Sequence, residues 1–195
     1  MKIYWVIFFS MSLQFISAQE FTVDQYRKAN TANEVSFLTI VEKEAIMYIN
    51  LARLYPRLFA KVVLENYTGP EGFTALESNN TYFKSLQKKL ARLDSMDALQ
   101  FSADLYENAK CFSAETGNKG GVGHHRNFCP KLNFAECISY GMTTGKDIAL
   151  QWLIDDRVPS LGHRKIVLDS AYHKIGLSIH AHKKWGTCAV AEIIW

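Results

Sequence analysis

The C-terminal run from Cys188 to Trp195 constrains the fold more than any other part of the chain. It is apolar at every position except Glu192. A strand on a half-exposed sheet alternates apolar and polar side chains. A strand that is apolar throughout is buried on both faces and needs a layer of structure on each side of it. The segment before it does alternate: Ile175, Leu177 and Ile179 are interleaved with Gly176, Ser178 and His180. His182 to Gly186 is polar and supplies a turn, so the chain is expected to end in a hairpin. His180 and His182 share one face of the first strand. Lys183 and Lys184 beside them point to a solvated turn rather than a ligand pair.

The rest of the chain has helical periodicity. Thr39 and Glu42 form a capping box, a hydroxyl at the N-cap and a carboxylate three residues on. Val41, Ala45, Ile46, Ile49 and Leu54 then recur on one helical face. Tyr55-Pro56 ends that helix, because the residue before proline avoids the α region, and Pro56 can open the next. Gly69 to Gly72 is a turn cluster. Tyr82, Phe83, Leu86, Leu90 and Leu93 space a further amphipathic helix. Leu105, Ala109 and Phe112 mark another, with Gly117 as its expected stop and a glycine-rich loop from Asn118 to Gly123. Thr144 and Asp147 cap a helix bearing Ile148 and Trp152; Trp152 and Trp195 are expected in the core. Gln19 to Val35 is polar and poorly periodic, which suggests an extended leader. The class is mixed, α+β, with helices first and a hairpin last. A chain of 195 residues with 48% hydrophobic residues suits one domain. Its formal charge of +3, from 22 basic and 19 acidic residues, is too even to indicate nucleic acid as a partner.

Residues 1–18 have the layout of a secretory signal peptide. Lys2 is the lone charge, Ile3 to Phe9 is apolar, and Ser17-Ala18 precedes a cleavage point. The organisation is therefore a signal at 1–18, a leader at 19–37 and a folded domain at 38–195, with no stable membrane span after cleavage. Export gives the cysteines an oxidising setting. Four are present, and an even number favours two disulfides. Cys129 and Cys137 flank a short segment containing Pro130, which favours a local bridge between them. Cys111 with Cys188 then follows by elimination.

No H-E-x-x-H and no G-x-S-x-G is present, so neither a zincin nor a nucleophile elbow is indicated. A Ser–His–Glu hydrolase would have to be assembled by the fold. The local features that stand out are Gly123-His124-His125-Arg126, Ala135-Glu136-Cys137-Ile138, and Trp152 to Leu168 with Gly162-His163-Arg164 inside it. The last resembles the W…GHR.NIL signature of the CAP superfamily, which includes cysteine-rich secretory proteins, antigen 5 and pathogenesis-related proteins. Ala135 to Ile138 resembles its G-E-N-I element, with Cys137 in place of asparagine. Tyr48 to Arg53 resembles its opening I-N-x-x-R helix, and Leu99, Leu105 and Ala109 its second conserved helix. The elements occur in the family's order over residues 38–195 and look most like its bacterial branch.

The resemblance implies a three-layer α-β-α sandwich with a mainly antiparallel central sheet and a surface cavity lined by two histidines and two acids. Carried over by position, His163 is the second histidine and Glu136 the first acid. His124 or His125 is the first histidine, with His124 preferred because it directly follows Gly123. Asp155 is the second acid. His124, His163 and Glu136 are the candidate ligands for zinc or another divalent cation. The same residues could instead form a structural hydrogen-bond network. The implied function is a secreted protein that binds a metal, a small apolar ligand such as a sterol or lipid, or an extracellular or envelope protein. A hydrolase using the His/Glu cluster and a structural envelope module are the alternatives. N-terminal sequencing of exported protein is expected to begin near Gln19; an intact Met1 on the soluble product would contradict the signal.

Overall fold

A computed structural model of the protein describes residues 20–71, 80–132 and 134–195. The signal segment and Gly72 lie outside them. The expected hairpin is present as β3 (Lys174–His182) and β4 (Gly186–Ile194), paired antiparallel with Ile175 opposite Ile193 and His182 opposite Gly186. On the far side of β4 lies β2 (Ala135–Tyr140), also antiparallel. The short β1 (Gln100–Phe101) runs parallel to β3, giving the order β1-β3-β4-β2.

Both faces of β4 are covered, as its composition requires. Ala189, Ala191 and Ile193 enter the larger core with Leu177 and Ile175. Cys188 and Val190 point the other way, onto Ala109 and Phe112 of α5 (Ala103–Lys119). The larger core is completed by α2 (Ile40–Leu54) and α6 (Gly145–Ile154), which contributes the fully buried Trp152. The protein is thus an α-β-α sandwich. Trp195, expected inside, is exposed at the end of β4.

α5 lies unusually close to β3. A Cβ on Gly176 would stand 2.0 Å from the Tyr106 nitrogen, and one on Gly117 would stand 2.2 Å from the Ala181 carbonyl oxygen. Gly117 therefore serves close packing rather than helix termination. The helix runs on to Lys119 and stops at Gly120, whose φ of 69° is the left-handed conformation of a C-terminal cap.

The leader also differs from its expected form. Residues Val23–Ala29 form α1, capped reciprocally by Thr22 and Gln25, with Phe21, Ala29 and Ala32 buried against the domain. A helix this short has a weak periodic signal, and its stability comes from the cap and its docking. The remaining helices are α3 (Pro56–Phe59), continued by a π-helical turn to Leu64, then α4 (Thr81–Arg92) and α7 (Gly162–Val167).

One disulfide is present, Cys111–Cys129, and Cys137 and Cys188 are free and buried. The expected pairs, Cys129–Cys137 and Cys111–Cys188, do not form because Glu115 and the sheet dictate otherwise. Glu115 stands one helical turn after Cys111 and accepts the backbone N–H groups of Asn127, Phe128 and Cys129 at 2.6, 3.1 and 2.9 Å. That clamp lays Cys129 on the Cys111 face of α5. Burial alone would raise the Glu115 carboxyl, but these donors outweigh it and hold it well below the ordinary carboxylate range. Cys137 meanwhile faces the opposite side of the sheet, in the larger core.

Three residues of α2 bind the layers together. The Glu42 carboxylate caps its own helix at Thr39 and accepts the Ile179 N–H of β3 at 2.9 Å. Asn50 bridges Ala29 and both backbone groups of Leu99. The fully buried Arg53 donates to the carbonyls of Asp97, Val167, Asp169 and Tyr172 at 2.8–2.9 Å. Burial lowers its guanidinium to about 10. Arg53→Met would leave these buried carbonyls unpaired. It is expected to destabilise the fold by on the order of 3 kcal/mol or more, measured by urea unfolding; a loss within experimental error would refute this role.

Candidate functional site

β2 is an edge strand, and the site forms around its free edge. Strand alternation sends Glu136 to the α5 face and Cys137 to the other, where its Sγ lies 4.0 Å from the His163 carbonyl oxygen. Two segments reach this edge from opposite faces. The loop after α5 brings His124, and the turn between α6 and α7 brings Asp155 and His163.

Each histidine is oriented by one carboxylate. His124 Nδ1 is 2.6 Å from Glu136 Oε1, and His163 Nδ1 is 2.7 Å from Asp155 Oδ1. With a carboxylate accepting from Nδ1–H, the neutral tautomer of each ring carries its lone pair on Nε2. Neither Nε2 has a hydrogen-bond partner among the described residues. The two rings are 6.5 Å apart between centroids and 30° from parallel. His125, the alternative to His124, is exposed and makes no contact with Glu136 among the described residues. The structure thus brings His124, Glu136, Asp155 and His163 to one edge and leaves His125 outside.

The turn carrying Asp155 and His163 is held under local strain. Asp155, Arg157 and Leu161 all have positive φ, 52–57°, without being glycine. The second Asp155 oxygen accepts the Arg164 N–H at 3.2 Å. The Arg164 side chain donates to the carbonyls of Leu153, Ile154 and Tyr82 and to the Ser85 hydroxyl. That set of bonds fixes α7, and with it His163.

Two further residues of the site were not apparent from sequence. Arg126 binds both Glu136 and Glu192 and lies over the Phe112 ring, its guanidinium carbon 4.1 Å from the centroid. Glu136 and Glu192 face each other directly across β2 and β4. Two carboxylates so placed repel, which is unfavourable unless a cation or a proton intervenes. The cation here is Arg126. Burial and the facing Glu136 charge push the Glu192 carboxyl up to about 8. Burial would raise Glu136 too, but the hydrogen bond from His124 and the charge of Arg126 hold it below its ordinary value. The signal for Glu192 was available: it is the single charge in a run buried on both sides. His182 is also buried. It donates from Nε2 to the Gly121 carbonyl at 2.7 Å and accepts the Lys184 and Trp185 N–H groups at Nδ1, so it locks the hairpin turn to the loop carrying His124.

The cleft beside His124 has a volume of about 210 Å³ and is lined by His124, Arg126, Lys131, Leu132, Phe134, Glu136 and Glu192; His163 is not part of its lining. Among the described residues, no group of three or more His, Cys, Asp or Glu side chains is placed to hold a metal ion.

Residues 22–193 match the Cysteine-rich secretory protein family, CAP. The chain belongs to that family. A search of curated proteins gave no match. Among solved structures, an outer surface protein from Borrelia burgdorferi is similar at 18% identity and a TM-score of 0.41, over 57% of this chain and 86% of that one. The CAP match begins before α2 and so takes in α1, which the sequence-based division had assigned to the leader. No helix among the described residues is long and apolar enough to cross a membrane.

The Glu192 environment has a consequence for stability against pH. Its folded pKa, about 8, lies above its ordinary value of 4.5, so over that interval the native state holds a proton that the unfolded state has released. Stability from this group is full below about pH 4.5 and is lost as pH rises towards 8. Glu192→Gln keeps the shape without the titration. The melting temperature of the variant relative to wild type is expected to rise steadily from pH 5 to pH 8, within that interval; a constant difference would refute the assignment.

Proposed function

We infer that this is an exported CAP-family protein whose cleft binds a divalent cation through the Nε2 atoms of His124 and His163. The observation that carries the reading is the pair of Nδ1–carboxylate contacts, 2.6 and 2.7 Å, which turn both unpartnered Nε2 atoms outward at one strand edge. Histidines prepared in this way are typical of metal ligands, and imidazole nitrogen suits zinc. Glu136 then acts behind His124 rather than as a ligand, and Asp155 stands behind His163. His124 is half-exposed, with 52% of its side chain accessible, and its ring centroid is 6.5 Å from that of His163. A bound cation would supply positive charge for an anionic group of a ligand or partner.

The size of the cleft favours an ion with its waters over a sterol or lipid. Its volume of about 210 Å³ is below the range of about 300–1,000 Å³ usual for small-molecule pockets. Binding is also favoured over hydrolysis. Ser139 bonds Gln151 at 2.5 Å, and the Cys137 thiol is fully buried and pushed well above its ordinary pKa, first by burial and then by the nearby Asp155 charge. Export is supported by the N-terminal segment and by the Cys111–Cys129 disulfide, a bond characteristic of oxidising compartments.

Calorimetric titration with zinc tests the reading. Wild type is expected to bind one ion, His163→Ala to lose binding while melting near the wild-type temperature, and Glu136→Gln to bind about 10–100-fold more weakly. Zinc binding that survives in the His124→Ala/His163→Ala double variant would exclude this site. A large fall in melting temperature for His163→Ala, with no zinc binding by wild type, would make the cluster a structural lock instead.

A further inference from the structure

The cations of this protein are unevenly placed. α4 carries Lys84, Lys88, Lys89 and Arg92 and no acidic residue between Thr81 and Arg92. Beside it, α3 and its π-helical extension carry Arg57 and Lys61. All six are exposed, and none makes an ion pair or side-chain hydrogen bond among the described residues. Elsewhere, exposed cations such as Arg27, Lys28 and Lys119 have carboxylate partners. Lys84 and Lys88, and separately Arg57 and Lys61, are four apart, so each pair lies along one helical face.

The two helices enclose a trough of about 450 Å³. Arg57 and Lys61 stand on one side, Lys88 on the other, small Ala60 and Ala91 lie between, and Glu65 is the single acid in the lining. On the other flank of α4 a groove of about 760 Å³ brings Lys89 together with Lys165 of α7. Cations of α4 thus line both of its flanks, in rows rather than at a point, with Glu65 and Asp169 the acids among the lining residues.

We propose that the α3–α4 face binds an extended polyanion, specifically a sulfated polysaccharide. Rows of unpaired cations along a shallow trough complement a linear chain of fixed negative charges, and release of its condensed counterions drives such binding. Two other polyanionic partners fit less well. A membrane surface is gripped through exposed apolar side chains as well as charge. Among the described residues, the large exposed hydrophobic side chains, such as Val23, Phe37, Phe128 and Trp185, lie on other segments. Single-stranded nucleic acid is held by aromatic stacking as well as charge, and among the described residues no exposed aromatic side chain lies on this face. The proposal is independent of the cation site at His124 and His163.

A heparin-derived octasaccharide is the probe, titrated into the full mature protein by calorimetry. Wild type is expected to bind it, to ignore the de-sulfated octasaccharide, and to lose about tenfold or more in affinity between about 50 and 200 mM salt. The variant Lys84→Gln/Lys88→Gln/Lys89→Gln is expected to weaken binding by about tenfold or more, whereas Lys174→Gln/Lys183→Gln/Lys184→Gln, with the same change in net charge, stays within about twofold of wild type. Equal losses in the two triple variants would reduce the effect to bulk charge and overturn the proposal. So would equal affinity for the de-sulfated chain, or tighter binding to phosphatidylglycerol vesicles or to an oligonucleotide than to the octasaccharide. All six changed lysines are exposed. Unchanged melting temperatures and unchanged zinc titrations in both variants verify that fold and cleft are intact.

Discussion

The guanidinium of Arg53 is the fixed point of this molecule. It reaches from α2 to the carbonyl of Asp97, before β1, to that of Val167, the last residue of α7, and to those of Asp169 and Tyr172, between α7 and β3. Those segments have little regular structure of their own to satisfy their backbone groups, and a buried carbonyl without a partner is costly. An arginine can serve several at once because its donors are held in a rigid planar fork. Arg164 does the same for the end of α6 and for α4. Between them, two arginines use backbone carbonyls in place of carboxylate partners to join the helical layer to the edge where the histidines sit.

The site inherits its form from that arrangement. Because β2 is an edge strand, its flank is open to loops from both faces of the sheet, and His124 and His163 come from opposite sides to meet there. Each loop is locked at a distance. His182 and Glu115 hold the first, while Arg164 and the Asp155 carboxylate hold the second. Arg126 lies beneath, between two carboxylates that would otherwise repel. The outward-facing pair of imidazole nitrogens rests on a buried charged layer that is already balanced without it.

Much of this was legible in the sequence, and for definite reasons. The Thr39–Glu42 and Thr144–Asp147 caps are local, and local hydrogen bonding is what sequence spacing encodes best. The two-sided burial of β4 was visible because a strand with layers on both faces cannot hide its composition. The site histidine His163 was recognisable from its neighbours Gly162 and Arg164, the latter being the anchor of its helix. What escaped was set by tertiary distance. Cys129 pairs with Cys111 because a glutamate one turn further along α5 captures its backbone, and no spacing between cysteines reports that. α1 is helical because it docks. Gly117 looked like a helix stop because a close approach to Ala181 leaves the same glycine in the sequence as a cap does. Arg126 and Glu192 become partners only once β2 and β4 are in register.

The sheet also acts as a partition between thiols. Cys137 is buried on one of its faces, and Cys188 on the other, in the same layer as the Cys111–Cys129 bridge. Spacing along the chain does not mark the native pair, because Cys129 is nearer in sequence to Cys137 than to Cys111. The β2–β4 ladder is what separates Cys137 from the other three. A bridge from Cys137 to any of the others would have to pass through the sheet, whereas the native bridge and Cys188 share one layer.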